Sequence, residues 1–342
     1  MRKKLYLFFS SFFLLFLFTT LPTFAQNVPL NITLSPTYFD LTANPGDTIS
    51  NIIRVRANGT SAIPLHIVVK KLGADQNGNL TIQDITDDSA NWITFPKTQI
   101  TAIAQDWTEV PFTIKIPKTA GFGYYYAISF VAGSNQTANA KVAGAGAVPV
   151  LLTVNRPGAA VNGQLVRFST DHYINEYLPI NFTSVIKSTG NIELKPHGDI
   201  FIRGIGESEI GTIDVNLSQG IIIPGTNRTF NSSWDDGFVV REPVIEDGRP
   251  LTDARGNTIT HLVFHWDKLT SIRIGKYTAN LIMVYDNGQK DVLIEGTTTF
   301  WVLPYKIIGG AIILIVALIL LIRFLLKWYV KKEIKKTSRR RH

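Results

Sequence analysis

The chain has 342 residues, with 34 Lys and Arg against 26 Asp and Glu, 45% hydrophobic residues and no cysteine. Without cysteine it has no disulfide staples, no thiol chemistry and no site for a cysteine-linked lipid anchor. Its formal charge of +8 would suggest nucleic-acid binding. The distribution argues otherwise: three cations precede residue 5 and nine lie from Arg323 onward, leaving 22 Lys and Arg against 25 acids in residues 26–306.

In chain order, Arg2, Lys3 and Lys4 precede an apolar run over residues 5–18, and Pro22, Thr23 and Ala25 follow. That layout predicts a cleavable secretory signal over residues 1–25. Residues 26–157 then read as a first β-sandwich. Ile53, Val55 and Ala57 alternate with Arg54 and Arg56, Leu65, Ile67 and Val69 with His66 and Lys70, and Phe112, Ile114 and Ile116 with Thr113 and Lys115. A period of two is that of half-buried strands. Apolar strands over 124–131 and 148–154 follow, and turns are predicted at Pro45-Gly46-Asp47, Asn58-Gly59, Asn77-Gly78 and Ala120-Gly121.

After Pro157-Gly158 the pattern restarts, and residues 158–304 read as a second sandwich with strands over 164–168, 178–186, 199–203, 211–216, 229–234, 261–266, 277–285 and 292–302. Asn287-Gly288 gives the sharpest hairpin signal. A polar insertion over 235–260 interrupts this half. Residues 305–328 are then expected to form a transmembrane helix. Fifteen of the twenty residues in 307–326 are Leu, Ile, Val or Phe, and at 1.5 Å per residue they cross a hydrocarbon core of about 30 Å. Trp301 and Tyr305 before the run, with Trp328 and Tyr329 after it, are placed at the membrane interfaces, and Arg323 lies one turn from the end, where it can snorkel. The basic residues 329–342 predict a cytoplasmic tail, and hence an outward-facing middle.

The expected fold class is therefore all-β: two tandem immunoglobulin-like antiparallel β-sandwiches plus one C-terminal transmembrane helix. An internal echo relates the halves, since Gly123-Tyr124-Tyr125-Tyr126-Ala127 and Gly275-Lys276-Tyr277-Thr278-Ala279 share Gly-x-Tyr-x-Ala. Its physical sense would be a Tyr packed inside a sandwich corner with its hydroxyl on backbone.

Residues 36–41 (Pro-Thr-Tyr-Phe-Asp-Leu), Pro45-Gly46-Asp47 and the strand ending at Asn58-Gly59-Thr60 carry a likeness in the first half. In the second half it is carried by Thr189-Gly190-Asn191, residues 195–200, residues 223–230 and Gly275-Lys276-Tyr277-Thr278-Ala279. With the order of signal, two sandwiches, span and basic tail, the chain resembles the WxL-interacting proteins of Gram-positive bacterial surfaces. That resemblance implies a first domain associated with the cell wall and a second with surface partners. The insertion departs from the pattern, which puts the second assignment in doubt. A weaker likeness is to the amino-terminal domain of pilus chaperones.

Reactive groups are sparse. Asp75-Gln76-Asn77-Gly78-Asn79 begins like a calcium loop, but Thr86 stands where the closing Glu belongs. His261 and His265 would lie about 13 Å apart on one strand face, too far to share a metal. The acids Asp84, Asp87, Asp88, Asp235 and Asp236 sit in polar loops. No catalytic residue, cofactor or metal is expected. Phe238, Val240, Arg241, Arg249 and Arg255, in the insertion, are the candidate partner-binding residues, because long loops on rigid sandwiches commonly carry binding. The function expected is a membrane-anchored, non-enzymatic binding or scaffold protein holding peptidoglycan, another envelope polymer or a surface protein. An assembly factor acting by strand addition is the alternative, to be distinguished by an exposed apolar edge without charges. A carbohydrate-active enzyme is the third reading.

Overall fold

The computed structural model describes residues 30–132 and 145–339. The expected signal segment and residues 133–144 fall outside them. Two successive β-sandwiches lead into one apolar helix. In the first, one sheet has the order β1 (Ile32–Ser35), β3 (Thr48–Ala57), β8 (Thr108–Lys115) and β6 (Ile93–Thr94). The facing sheet runs β2 (Phe39–Ala43), β10 (Ala145–Val154), β9 (Phe122–Ala132), β4 (Ile63–Ala74) and β5 (Leu80–Gln83), with β7 (Gln99–Ala102) paired to the start of β4.

Alternation explains which side chains are inside. Ile53, Val55, Ala57, Leu65, Ile67, Phe112 and Ile114 are all buried between the sheets. Arg54 and Arg56 take the other face of β3, where Arg54 meets Glu109 at 3.3 Å and Arg56 lies over the Trp107 ring. Burying one such aliphatic side chain is worth about 1.5–3 kcal/mol, so the inward stripe, with Phe39 edge-on to Phe112, dominates local stability.

The second sandwich sets β11 (Gly163–Thr170), β13 (Ile180–Ser188) and β16 (Asn227–Trp234) against β12 (Ile174–Asn175), β22 (Asp291–Val302), β21 (Gly275–Asp286), β14 (His197–Arg203) and β15 (Glu209–Val215). Its core is aromatic: Phe182 is edge-on to Phe300 at 5.6 Å, and Trp234 to Tyr277 at 5.5 Å. In both halves the opening strand divides between the sheets, and its second part pairs in parallel with the last strand, β2 with β10 and β12 with β22. All other ladders among the described residues are antiparallel. This is the immunoglobulin type of sandwich, twice over.

Three expectations change in detail. Asn287-Gly288 does join two strands, but the loop spans residues 287–290, with Gly288 at φ +87 and the Asn287 N–H donating to the Lys290 carbonyl. The strand expected over 261–266 ends at Phe264, because Trp266 opens a short 3-10 helix. The insertion is itself structured: β17 (Val239–Pro243) pairs antiparallel with β20 (Thr260–Phe264), and β18 (Ile245–Glu246) with β19 (Arg249–Pro250).

The last element, α1 (Tyr305–Arg339), contains a 24-residue stretch, Tyr305–Trp328, long and apolar enough to cross a membrane. None of its most apolar window is buried against the rest of the described residues.

Candidate binding surfaces

The sandwiches meet through a joint that alternation alone does not announce. β4 and β9 each present one face to the first core and the opposite face to the second domain. On that opposite face Leu72, Tyr125, Ala127 and Leu151 form a buried cluster with Ile221 and Ile223. The Tyr125 hydroxyl donates to Glu193 Oε2 at 2.9 Å, and Glu193 is 6% exposed. Lys195 Nζ lies 3.6 Å from the other Glu193 oxygen and also pairs with Asp40. Burial and the adjacent Glu193 carboxylate push the Tyr125 hydroxyl well above the ordinary tyrosine range, so it stays a donor. Burial works against the Lys195 ammonium, but the Asp40 and Glu193 carboxylates together hold the lysine above its ordinary value.

Tyr125 therefore does not pack in a sandwich corner as the Gly-x-Tyr-x-Ala echo suggests. Tyr277, its counterpart in the motif, is buried in the second core, whereas Tyr125 faces the joint. Tyr124, one residue away, takes the corner role, its hydroxyl accepting the Gly121 N–H at 3.4 Å. The Asn77-Gly78 turn also reaches the second domain, where the Thr229 N–H donates to the Asn77 carbonyl at 2.9 Å.

Beside this joint runs an open groove of about 660 Å³, lined on one side by Lys71, Leu72, Ala74 and Gln83 and on the other by Ile223, Pro224 and Thr226. Leu72 is the cross-strand partner of Ile82, and Ala74 of Leu80. Cross-strand partners share a face, so Leu80 and Ile82 extend the joint's apolar face outward, where they are 42% and 52% exposed. β5 is the last strand of its sheet among the described residues, and its sequence Leu-Thr-Ile-Gln carries no charge. Open strand edges are usually blunted by shortness, charge, proline or bulges; this one has its shortness alone.

The sequence-predicted binding residues divide into two groups. Val240 is 3% exposed and belongs to the second core, bridged to Leu178, so it faces inward and is not part of a partner-facing surface. Its strand begins where the insertion leaves the sandwich, and there the chain still contributes to the core. Arg241 is tied to Glu176 at 3.3 Å and lies over the Tyr177 ring. Phe238 is partly buried, edge-on to Phe264 and Trp266. These three form the root of the arm, while Arg249 and Arg255 are exposed further out. Near Arg255, the Asp253 carboxylate accepts the N–H groups of Arg255 and Asn257, and the hydrogen bonds from Asn257 hold it below its ordinary range. The same device closes the Asp75 turn, where Asp75 accepts from the N–H groups of Asn77 and Asn79, a local turn function.

The remaining acids and histidines do not converge. Asp84 pairs with Lys70, Asp87 caps a 3-10 helix at Ser89, and Asp236 meets Lys268 at 2.9 Å and Arg273 at 3.0 Å. His265 Nε2 lies 2.8 Å from Glu242, and His261 faces Glu242 across the hairpin. Among the described residues no three His, Asp or Glu side chains gather as metal ligands would.

At the foot of the second domain, Glu176 also holds Lys306 of α1 at 2.7 Å. Trp301 is a half-buried residue of β22, opposite Lys276 and Ile174, while Tyr305, Arg323 and Trp328 lie exposed on α1. The Tyr329 side chain falls outside the described residues.

No protein-family model matches the chain, and no curated protein matches it. Among solved structures it is similar to the class 5 fimbriae chaperone CfaA, at 12% identity over 78% of this chain and 98% of that one, with a TM-score of 0.38. It is similar to the Escherichia coli chaperone DraB at 9% identity over 79% and 99%, with a TM-score of 0.32. A third likeness is to the CsuC-CsuE chaperone-tip adhesion subunit complex of Acinetobacter baumannii, at 12% identity over 58% and 89%, with a TM-score of 0.33. At such scores the fold assignment rests on the strand topology itself.

Proposed function

We propose that this chain is a membrane-tethered, non-enzymatic protein of the cell envelope that holds an extended segment of another exported protein, added as a strand to β5 in the groove between its sandwiches. The observation that carries this is the uncharged β5 edge, whose Leu80 and Ile82 continue the buried joint cluster into solvent. An added strand would gain backbone hydrogen bonds along β5 and set alternate side chains on that apolar face, as in recognition by β-augmentation. Tethering is supported by α1, none of whose most apolar window is buried against the described residues, and the basic residues that follow it favour the cytoplasmic side.

The test is a pair of substitutions in the full chain, Leu80→Lys and Ile82→Lys. Both side chains are exposed, so the fold should persist, and partners recovered with the unmodified protein by crosslinking on cells should be lost. Retention of all of them in both variants would refute capture at β5.

A second reading keeps the sandwiches as a spacer for wall polymer or for a wall-bound surface protein, as the resemblance to WxL-interacting proteins implies. It is favoured by the buried Tyr125–Glu193 joint and the Glu176–Lys306 link, which fix each domain to the next element. Binding of the protein to purified peptidoglycan, undiminished by the β5 substitutions, would favour this reading over the first.

A further inference from the structure

The end of the second sandwich from which α1 leaves carries an exposed apolar collar. Ile205 is 81% exposed and Trp266 74%, and Leu269, Ile272 and Ile274 are each more than half exposed. Topology puts them together. β22 ends, β21 begins and β14 turns into β15 at this end, so the 204–208 turn, the 271–275 segment and the start of α1 are neighbours. A small cleft of about 150 Å³ joins collar and helix, with Phe238, Ile272 and Ile274 lining it beside Pro304 and Ile307. Phe238 in turn touches the Trp266 ring, 5.3 Å between centroids.

Much of the charge at this end is drawn into pairs, although Glu207 and Asp267 are exposed beside Ile205 and Trp266. Lys268 and Arg273 share Asp236, and Arg241 and Lys306 share Glu176. Exposed apolar groups, a tryptophan among them, are prominent at this end. Large exposed apolar patches are uncommon on soluble domains, and Trp beside aliphatic residues is the composition found at the headgroup level of a bilayer.

We propose that this collar rests in the interfacial layer of the same bilayer that α1 crosses, so that the second domain sits on the membrane in a fixed attitude rather than swinging on its tether. The occupant is lipid because the patch is continuous with the start of the apolar helix: once α1 enters a bilayer, this end of the sandwich is the first part to meet headgroups. The inference rests on the tethering proposed above and adds to it a second contact with lipid.

The chain's lack of cysteine makes the test clean. Single cysteines replace Trp266, Leu269, Leu217 and Leu318 in the full chain, each is spin-labelled, and the proteins are reconstituted in phosphatidylcholine/phosphatidylglycerol vesicles. Leu217 is 80% exposed just after β15, at the end of that strand away from the 204–208 turn, while Leu318 lies mid-way along the apolar helix. Labels at 266 and 269 should collide with dissolved oxygen several-fold more than with an aqueous nickel complex, as at 318, whereas 217 should show the reverse. If 266 and 269 behave like 217 while 318 is lipid-shielded, the collar proposal is wrong and the tether stands. If 318 itself is water-exposed, tether and collar fall together. Shielding at 266 with dipolar broadening between labels would mean that a second copy covers the patch, which also overturns it.

Discussion

The Tyr125 hydroxyl and the Glu193 carboxylate, 2.9 Å apart and buried, join the two sandwiches across 68 positions of sequence. Tyr125→Phe removes the donor and leaves the carboxylate with Lys195 at 3.6 Å and Thr153 at 3.5 Å. A buried acceptor deprived of its partner costs about 1–3 kcal/mol. Denaturant unfolding should register that loss, and small-angle scattering should show a wider spread of interdomain distances, with each sandwich still folded.

Gly78 supplies a second, backbone test of the same joint. Its φ is +80, and a Cβ there would come within 2.4 Å of Arg228 Cα and the Asn227 carbonyl. Gly78→Ala should cost at least the 1–2 kcal/mol or so of a left-handed non-glycine residue, and should lift the turn off the second domain. Loss of hydrogen-exchange protection at the Thr229 amide, whose acceptor is the Asn77 carbonyl, would report that displacement.

Asp199 and Asp214 face one another across β14 and β15. Burial, then the hydrogen bond and charge of Asp214, raise the Asp199 carboxyl above its ordinary value of 3.8, with the charge of His197 opposing. A raised carboxyl binds its proton more tightly folded than unfolded. Stability is therefore lost as pH rises through the ordinary value, and the loss is complete above the raised one. Asp199→Asn keeps a donor for Asp214 and should raise stability at neutral pH by up to about 1 kcal/mol, the scale of one cross-strand pair. The gain should vanish below the ordinary carboxylate pKa, and thermal unfolding at pH 7 and pH 3 checks both halves.

The arm should separate into root and tip. Val240→Ala removes two buried carbons from the second core and should cost about 1–2 kcal/mol, from roughly 0.8 per buried CH₂ plus any cavity left behind. Arg249→Ala and Arg255→Ala alter exposed side chains and should change stability by no more than about 0.5 kcal/mol. Unfolding curves for the three variants measure the contrast, and any effect of the tip arginines on partner binding is then separable from folding.

Strands were legible wherever one face meets a core and the other meets water. Ile53, Val55 and Ala57 against Arg54 and Arg56 carry that contrast in the sequence itself. The joint was not: Leu72 follows Lys70 and Lys71, out of phase with the inward Leu65, Ile67 and Val69, and Tyr125 sits between Tyr124 and Tyr126 with no alternation to mark its separate destination. One signal could have found it: Ile221, Ile222 and Ile223 run consecutively between Gly220 and Pro224, and such a run in a loop needs a surface to cover it. The insertion looked like a loop because its charged residues, prolines and glycines obscure three short strands, β17, β18 and β19, and Val240 gave no hint that pairing near Leu178 draws it into the core. The β5 edge was hidden too, since four residues are too few for a period to register, and only register with β4 shows that Leu80 and Ile82 share the face of Ala74 and Leu72.

The central claim is that the sandwiches stand outside a membrane crossed by α1, and sided labelling of single cysteines tests it most directly. Leu217→Cys and Ser338→Cys are introduced separately into the cysteine-free chain and exposed on intact cells to a membrane-impermeant maleimide. The account predicts labelling at 217 on intact cells and at 338 only after lysis. Labelling at 338 on intact cells, with 217 protected until lysis, would contradict it.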